Sequence, residues 1–331
     1  MKRVIVFKSK YSAWDLDPDI LRQLGYSVAA YTDVEISDMW RSVFGIPLIS
    51  IGDAISLLIS ESVDTILFPY TKAVDPPELS QFKTLICSVC PHDLHFIYFD
   101  VLFDDYLNIF FSNAEKKHFP SNDLEYVISE EKKLSYLVNS KVACSSIKAS
   151  FLDEDIADDY SVHLLISLKG MRRRGLFEHS KGFFIFTFFR NPFSRLVSCY
   201  ESKYHIDPVK NPDISDFKYY LWGYLYKDEG FPAFLQKVCS IPYSVMDSHI
   251  MRQTDIVFTE SGKCRCDFIG HFETLDADFN IIRNRFGLNR LPRLNASGVR
   301  NWKAYYTSET ASMIYKKYQK DFESFGYYEE M

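Results

Sequence analysis

The stretch GFFIFTFFRNPFSRLVSCYESKY, Gly182–Tyr204, decides how the second half of this chain folds. Its apolar run up to Phe189 is almost unbroken, which marks a buried central strand of a mostly parallel sheet. The strand ends at Arg190. Asn191 then offers a helix N-cap and Pro192 the favoured first helical position. Phe193, Leu196, Val197 and Tyr200 continue at helical spacing. Arg190 is therefore placed at the carboxyl end of a strand, with Ser198 about two turns along the following helix. In a parallel sheet that edge is where ligands bind. Taken alone, the pair could equally be a surface arginine and a helix serine of any α/β protein.

Working upstream, LSYLVNSKVACSSIKASFLDED (Leu134–Asp155) repeats the strand–loop–helix theme. A short strand, Leu134–Val138, runs into a loop of small residues, Lys141, Val142, Ala143, Cys144, Ser145 and Ser146. A helix begins around Ser146. Such a junction aims backbone N–H groups and the positive end of a helix dipole at one spot, which suits an anion. Lys141 adds a full charge, and Ser145 and Ser146 add hydroxyl donors. Lys148, one turn on, is either a second anion contact or a solvated helix lysine. The glycines and terminal Gly-Lys-Ser/Thr of a Walker A loop are absent, and an ordinary strand–helix connection would have similar text.

Composition narrows the partners. With 331 residues the chain accommodates two domains, and 47% hydrophobic against 25% charged residues excludes a disordered chain. The net charge of −6, from 38 Lys+Arg and 44 Asp+Glu, gives no global field for nucleic acid or an anionic membrane. An anionic ligand must therefore meet local positive charge. Arg283, Arg285, Arg290, Arg293, Arg300 and Lys303 fall in a stretch, 279–308, without an acidic residue, and Arg172–Arg174 form a second cluster. A solvated basic helix face explains Arg283 and Arg285 equally well.

No apolar run approaches the ~18 residues of a membrane span, and Val4–Phe7 is too short for a secretory leader. A soluble, cytoplasmic protein is expected. The 7 cysteines, an odd number, read as reduced thiols. Cys87 and Cys90, followed by His92 and His95, have a spacing that zinc could use. The text TLICSVC, however, reads as a buried strand in which cysteine is a small hydrophobe. Cys264 and Cys266 stand too close together for a zinc knuckle, and no metal is expected.

Residues 1–115 alternate strands with helices, as in a small Rossmann-like α/β domain. VIVF, SVAAYTD, GIPLIS, TILFPY, LICSVC and HFIYFDVLF read as strands. Pro18–Leu24 reads as a helix ended by Gly25, and DAISLLISES as a helix capped by Asp53. The succession resembles the N-terminal domain of some bacterial sugar-modifying acyltransferases. KSKYSAWDLDP, after the first strand, has no glycine loop for a dinucleotide, so a scaffold or partner-recognition role is expected. Residues 116–133 are polar and without sustained period, which marks a linker, and 134–331 form the second domain.

Together, KVACSSIK and FFRNPFSRLVSCY resemble the 5′-phosphosulfate loop and the 3′-phosphate motif of the Golgi-type carbohydrate sulfotransferases, the family of the HNK-1, chondroitin and dermatan enzymes. DFIGHFETLDADF, LPRLNASG and YYTSETASMIYKKYQKDFESFGY fit in the same order, so the resemblance runs from Leu134 to Tyr328. It implies a P-loop-like fold with a central parallel sheet, and 3′-phosphoadenosine 5′-phosphosulfate as donor. The acceptor it implies is a carbohydrate hydroxyl on a surface glycan, a lipid-linked glycan or an oligosaccharide. By the same resemblance, Lys141 neutralises the leaving oxygen and the loop through Ser146 holds the 5′ phosphate. Arg190 and Ser198 grip the 3′ phosphate, and Asn295, Ser297 and Arg300 lie near the donor. His163, in DDYSVHLLISL, stands where the family often places its catalytic base; a core histidine on an apolar strand is the alternative. His249 is the second candidate, and Glu273 the third, with a structural hydrogen-bond role equally open.

Two features depart from the family. Ser140 stands where proline usually precedes the loop lysine, and the Golgi anchor is missing, so a soluble bacterial relative is expected. Two rival readings remain: a nucleotide- or glycan-binding protein without turnover, and a nucleotide-dependent kinase, which would need the missing Walker loop. The oligomeric state leaves no signal. Because the first strand is not followed by glycine, NAD⁺ and NADP⁺ are expected not to bind, and a calorimetric titration showing micromolar binding of either would refute that reading.

Overall fold

The structure is a computed structural model. It describes residues 1–8, 15–32, 42–60, 62–69, 77–90, 93–115, 124–154, 156, 158–175, 182–205, 217, 220–225, 229–294 and 301–328. The chain divides into two compact units. One is Met1–Lys116 with Ile206–Asp228, and the other is Lys117–His205 with Glu229–Met331.

The first unit is built on a six-stranded sheet of order β3-β4-β2-β1-β5-β6. Its strands are β1 (Lys2–Phe7), β2 (Tyr26–Thr32), β3 (Ser42–Val43), β4 (Ile46–Ile49), β5 (Thr65–Phe68) and β6 (His95–Tyr98). All pairings are parallel except β3 with β4. Its helices are α1 (Pro18–Gln23), α2 (Ile51–Ile59), α3 (Pro77–Val89) and α4 (Phe103–Glu115). Asp17 caps α1 by accepting the Asp19 N–H, and Gly25 closes the turn behind it at φ 92°.

Three local readings change here. LICSVC is the end of helix α3 and not a strand. Leu79, Phe82 and Ile86 supply its buried face at helical spacing, and Cys87 is exposed. A short apolar run has no period of its own, which is why the sequence misleads. Ser50, not Asp53, caps α2 by accepting the Asp53 N–H. HFIYFDVLF is a strand only to Tyr98 and then turns into α4. The unit also takes in residues 206–228, which are expected from the sequence within the second domain, 134–331. There Trp222 packs edge-on against Tyr106 and Phe110 at ring-centroid distances of 5.1 and 5.2 Å.

The second unit holds a five-stranded sheet of order β11-β10-β8-β7-β9. β7 (Glu125–Ser129) pairs antiparallel with β8 (Leu134–Leu137) and with the edge strand β9 (Arg172–Arg174). Part of the expected linker, 116–133, is therefore sheet. β10 (Phe184–Phe189) lies parallel to β8 and to β11 (Phe268–His271). Three helices bear on the site: α5 (Cys144–Ala149), α6 (Asp159–Leu168) and α7 (Pro192–Cys199). His163 therefore sits on a helix and not on a strand; Val162 and Ile166, one turn apart, are the buried residues beside it. Phe186 and Phe188 of β10 pack with Tyr136, Ile147, Val162, Phe279 and Ile282 to form the core. Burying each such side chain contributes about 1.5–3 kcal/mol.

Gly270 of β11 sits opposite Phe188 in the sheet register. A Cβ at this position would lie 2.4 Å from Phe188 Cε1 and 2.7 Å from its Cδ1. The ring is fully buried and cannot swing aside. Gly270→Ala should therefore destabilise the protein by about 1–3 kcal/mol through overpacking, read from the midpoint of urea unfolding.

Candidate active site

Both expected motifs emerge at the carboxyl ends of adjacent parallel strands, β8 and β10. Asn139 and Gln253, both fully buried, stitch those ends together. Asn139 Nδ2 donates to the Phe188 carbonyl at 3.0 Å and to Gln253 Oε1 at 2.9 Å. Gln253 in turn accepts the Arg190 N–H at 3.1 Å and donates Nε2–H to the Arg190 carbonyl at 2.8 Å. Buried Asp321 accepts the N–H groups of Gln253 and Thr254 and the Thr254 hydroxyl, each at 2.8 Å. Where each chain leaves the sheet is thereby set by side-chain amides.

The loop after β8 is conformationally strained. Lys141 (φ 67°) and Ala143 (φ 51°) both occupy the left-handed region that side chains other than glycine rarely adopt. Such strain persists only where surrounding contacts over-determine it. Here Arg190 Nη1 donates to the Lys141 carbonyl at 3.0 Å, and the Lys141 ammonium donates to the Ser202 hydroxyl. Ser202 lies on a π-helical turn, Tyr200–Tyr204, that extends α7, and it donates to the Ser198 carbonyl at 2.8 Å. Ser145 and Ser146 are buried in the first turn of α5, where Ser146 Oγ accepts the Leu294 N–H at 3.4 Å.

Two cations in this group have only neutral hydrogen-bond partners among the described residues. Lys141 meets Ser202. Arg190 meets Ser194 Oγ at 3.0 Å, the Lys141 carbonyl, and the face of Phe272 at 4.2 Å. Burial, with Lys203 and Arg190 nearby, pulls the Lys141 ammonium below its usual range. Burial likewise brings the Arg190 guanidinium down to about 10. Positive charge drawn partly out of water is costly unless opposite charge stands near it, and for Arg190 the Glu273 carboxylate supplies some of that charge without bonding to it.

Lys148 behaves otherwise. It is neither solvated nor free for a ligand: its side chain is 3% exposed and its ammonium pairs with Glu125 Oε1 at 2.6 Å. Glu125 Oε2 also holds Arg172 at 2.5 Å, so the Arg172–Arg174 cluster is partly neutralised within the fold. His163 Nδ1 stands 3.4 Å from the same Lys148 ammonium. Glu273 takes the structural role left open for it, accepting the Asn191 N–H at 2.9 Å and the Tyr327 hydroxyl at 2.6 Å. Of the other basic residues, Arg285 lies over the Phe184 ring at 4.3 Å. Asn295, Ser297 and Arg300 lie outside the described residues.

His249 has the more developed setting. Its Nδ1 and Asp247 Oδ1 are 2.6 Å apart, and its backbone N–H also reaches Asp247 Oδ1, at 2.8 Å. Burial works to raise the Asp247 carboxyl, but His249 beside it more than offsets this and holds it below the usual carboxylate range. The turn carrying this pair touches the loop directly, because Ser140 Oγ donates to Ser248 Oγ at 3.3 Å. Sequence reasoning missed Asp247, Ser202 and Gln253. Asp247, two residues before His249, and Ser202, one helical turn after Ser198, left a spacing signal; Gln253 left none.

The profile of the Sulfotransferase family matches residues 124–328. Carbohydrate sulfotransferase 10 of Xenopus laevis is 25% identical over 235 residues, which cover 60% of this chain and 61% of that protein. No solved structure matches the chain. No helix among the described residues is long and apolar enough to cross a membrane.

Removing the Glu125 carboxylate would leave two cations, Lys148 and Arg172, facing each other without compensation. Glu125→Ala should cost about 3–5 kcal/mol. Urea unfolding measures this, and a loss below 1 kcal/mol, roughly that of a surface pair, would contradict it.

Proposed function

The chain belongs to the sulfotransferase family, and from that premise we propose that it transfers a sulfuryl group from 3′-phosphoadenosine 5′-phosphosulfate to a hydroxyl of a carbohydrate acceptor by in-line displacement. The observation that carries this is the pair of half-buried cations, Lys141 and Arg190, whose hydrogen-bond partners among the described residues are all neutral. A donor with phosphates at both ends of its ribose supplies charge for both. Arg190 with Ser198 takes the 3′ phosphate, and the loop from Lys141 to Ser146 takes the 5′ end. The carbohydrate acceptor rests on the similarity to carbohydrate sulfotransferase 10.

Sulfuryl transfer needs positioning and charge stabilisation more than covalent help from the protein, as phosphoryl transfer does. The acceptor oxygen forms a bond to sulfur while the sulfur–oxygen bond to the 5′ phosphate breaks. The Lys141 ammonium meets the charge that grows on the departing oxygen. We assign the acceptor proton to Nε2 of His249. Asp247 binds the Nδ1 side of the ring, which fixes the tautomer and leaves Nε2 as the acceptor, the logic of any carboxylate-oriented histidine base. The His249 turn also touches the donor loop through Ser140 and Ser248. His163, expected in this role from the sequence, has its Nδ1 beside the Lys148 ammonium that Glu125 pairs, whereas the ring of His249 has the Asp247 carboxylate against it.

The test combines binding and turnover. Adenosine 3′,5′-bisphosphate should raise the melting temperature more than ATP does, and Arg190→Ala should remove that shift. Equal stabilisation by ATP would favour a kinase-like site and refute the 3′-phosphate assignment. Lys141→Ala should lower kcat by about 100–1,000-fold while bisphosphate affinity falls much less, because its contact strengthens in the transition state. His249→Ala should suppress turnover with nucleotide affinity kept. Full activity in that variant would return the base to His163.

A further inference from the structure

Arg195 is 1% exposed on the inner face of α7. Its guanidinium donates to three backbone carbonyls: from Nε to Ser140 at 3.0 Å, from Nη1 to Met251 at 2.7 Å, and from Nη2 to Ser248 at 2.9 Å. One of these belongs to the donor loop, immediately before Lys141. The other two belong to the turn that carries Asp247 and His249, Ser248 between that pair and Met251 two residues beyond it. Apart from Arg195, the Ser140–Ser248 hydroxyl contact ties the loop to this turn, and the Tyr318 hydroxyl holds the Ile250 carbonyl from the other side.

We infer that Arg195 is a positioning residue that sets the distance between Lys141, which meets the leaving oxygen, and His249, which meets the acceptor proton. The inference rests on the roles proposed above for those two residues. In-line transfer demands that both ends of the reacting axis be fixed at once, and a displacement of about 1 Å can cost roughly 100-fold in rate. The two groups come from segments more than a hundred residues apart in sequence, so their separation must be held by a third group. A planar guanidinium with N–H bonds in several fixed directions can span three carbonyls. A lysine ammonium at the same place is a point donor on a flexible stem and cannot reach all three, although it keeps the charge. An apolar side chain would leave the buried Met251 carbonyl and the part-buried Ser140 and Ser248 carbonyls without this donor.

The experiment is a double-mutant cycle on turnover with a sulfate-labelled donor, using wild type, Arg195→Lys, His249→Ala and the double variant. Melting temperature and bisphosphate titrations check that each protein folds and keeps its donor site. Arg195→Lys is expected to lower kcat about 100-fold with bisphosphate affinity nearly unchanged. In the His249→Ala background it should cost only a few-fold more, because a position matters only while its occupant is there. Full kcat in Arg195→Lys overturns the inference, as does a loss that multiplies in full with that of His249→Ala, which would mark Arg195 as structural support alone. A wild type that transfers no sulfuryl group, or a fully active His249→Ala, overturns it through its premise. If Arg195→Lys does not fold, Arg195→Gln, neutral but still an N–H donor, takes its place in the cycle: a lowered kcat whose loss shrinks in the His249→Ala background supports the inference, and full kcat or a loss that multiplies in full overturns it.

Discussion

Positive charge held out of water is the constraint on which the second unit depends. A cation in such an interior must be met by a counter-charge, by backbone carbonyls or by a ligand. The structure shows the first two directly. Lys148 has Glu125, and Arg195 has three carbonyls. Lys141 and Arg190 have hydroxyls, one carbonyl and an aromatic face, and no carboxylate bonds to either among the described residues. This difference sets the charges satisfied within the fold apart from the two whose hydrogen bonds go only to neutral side chains and one carbonyl. It does so more sharply than residue type, since all four are lysine or arginine.

The neutral scaffold around these cations has a matching purpose. Asn139, Gln253 and Asp321 are fully buried polar side chains, and they spend their hydrogen bonds on the backbone at the ends of β8 and β10 and on the Gln253–Thr254 turn. Burial pushes the Asp321 carboxyl up in spite of the bonds it accepts. A buried network of this kind is costly wherever a member is unpaired, and here Asn139 Oδ1 has no hydrogen-bond partner among the described residues. Lys141 and Ala143 keep their strained backbone conformations next to this network, with Arg190 donating to the Lys141 carbonyl.

How far the site could be read beforehand varies with the range of the interaction. Arg190, Ser198 and the loop from Lys141 to Ser146 are visible because strand, cap and helix follow one another in the text. Local rules of capping and periodicity are enough to place each at a strand end. Lys148 is ambiguous in sequence because its partner, Glu125, precedes it by 23 residues and sits on a strand that reads as linker. His163 ranks ahead of His249 in sequence on the family resemblance alone. What distinguishes them is the neighbour each ring meets, an ammonium in one case and a carboxylate in the other.

By itself the sequence determined an α/β chain with a Rossmann-like first half, a buried strand from Phe184 to Phe189, a cap at Asn191 and two anion-seeking motifs in order. Each of these follows from periodicity or from side chains bonding to their own backbone, forces that act within a few residues. Tertiary structure alone decided that α3 is a helix, that β7 belongs to the sheet, and that residues 206–228 join the first unit. It also decided which cations are neutralised and that Arg195 ties the loop to the Asp247–His249 turn. Those outcomes depend on desolvation and on pairing between segments 23 to 63 residues apart and more. Such energies do not exist until the core has closed around them.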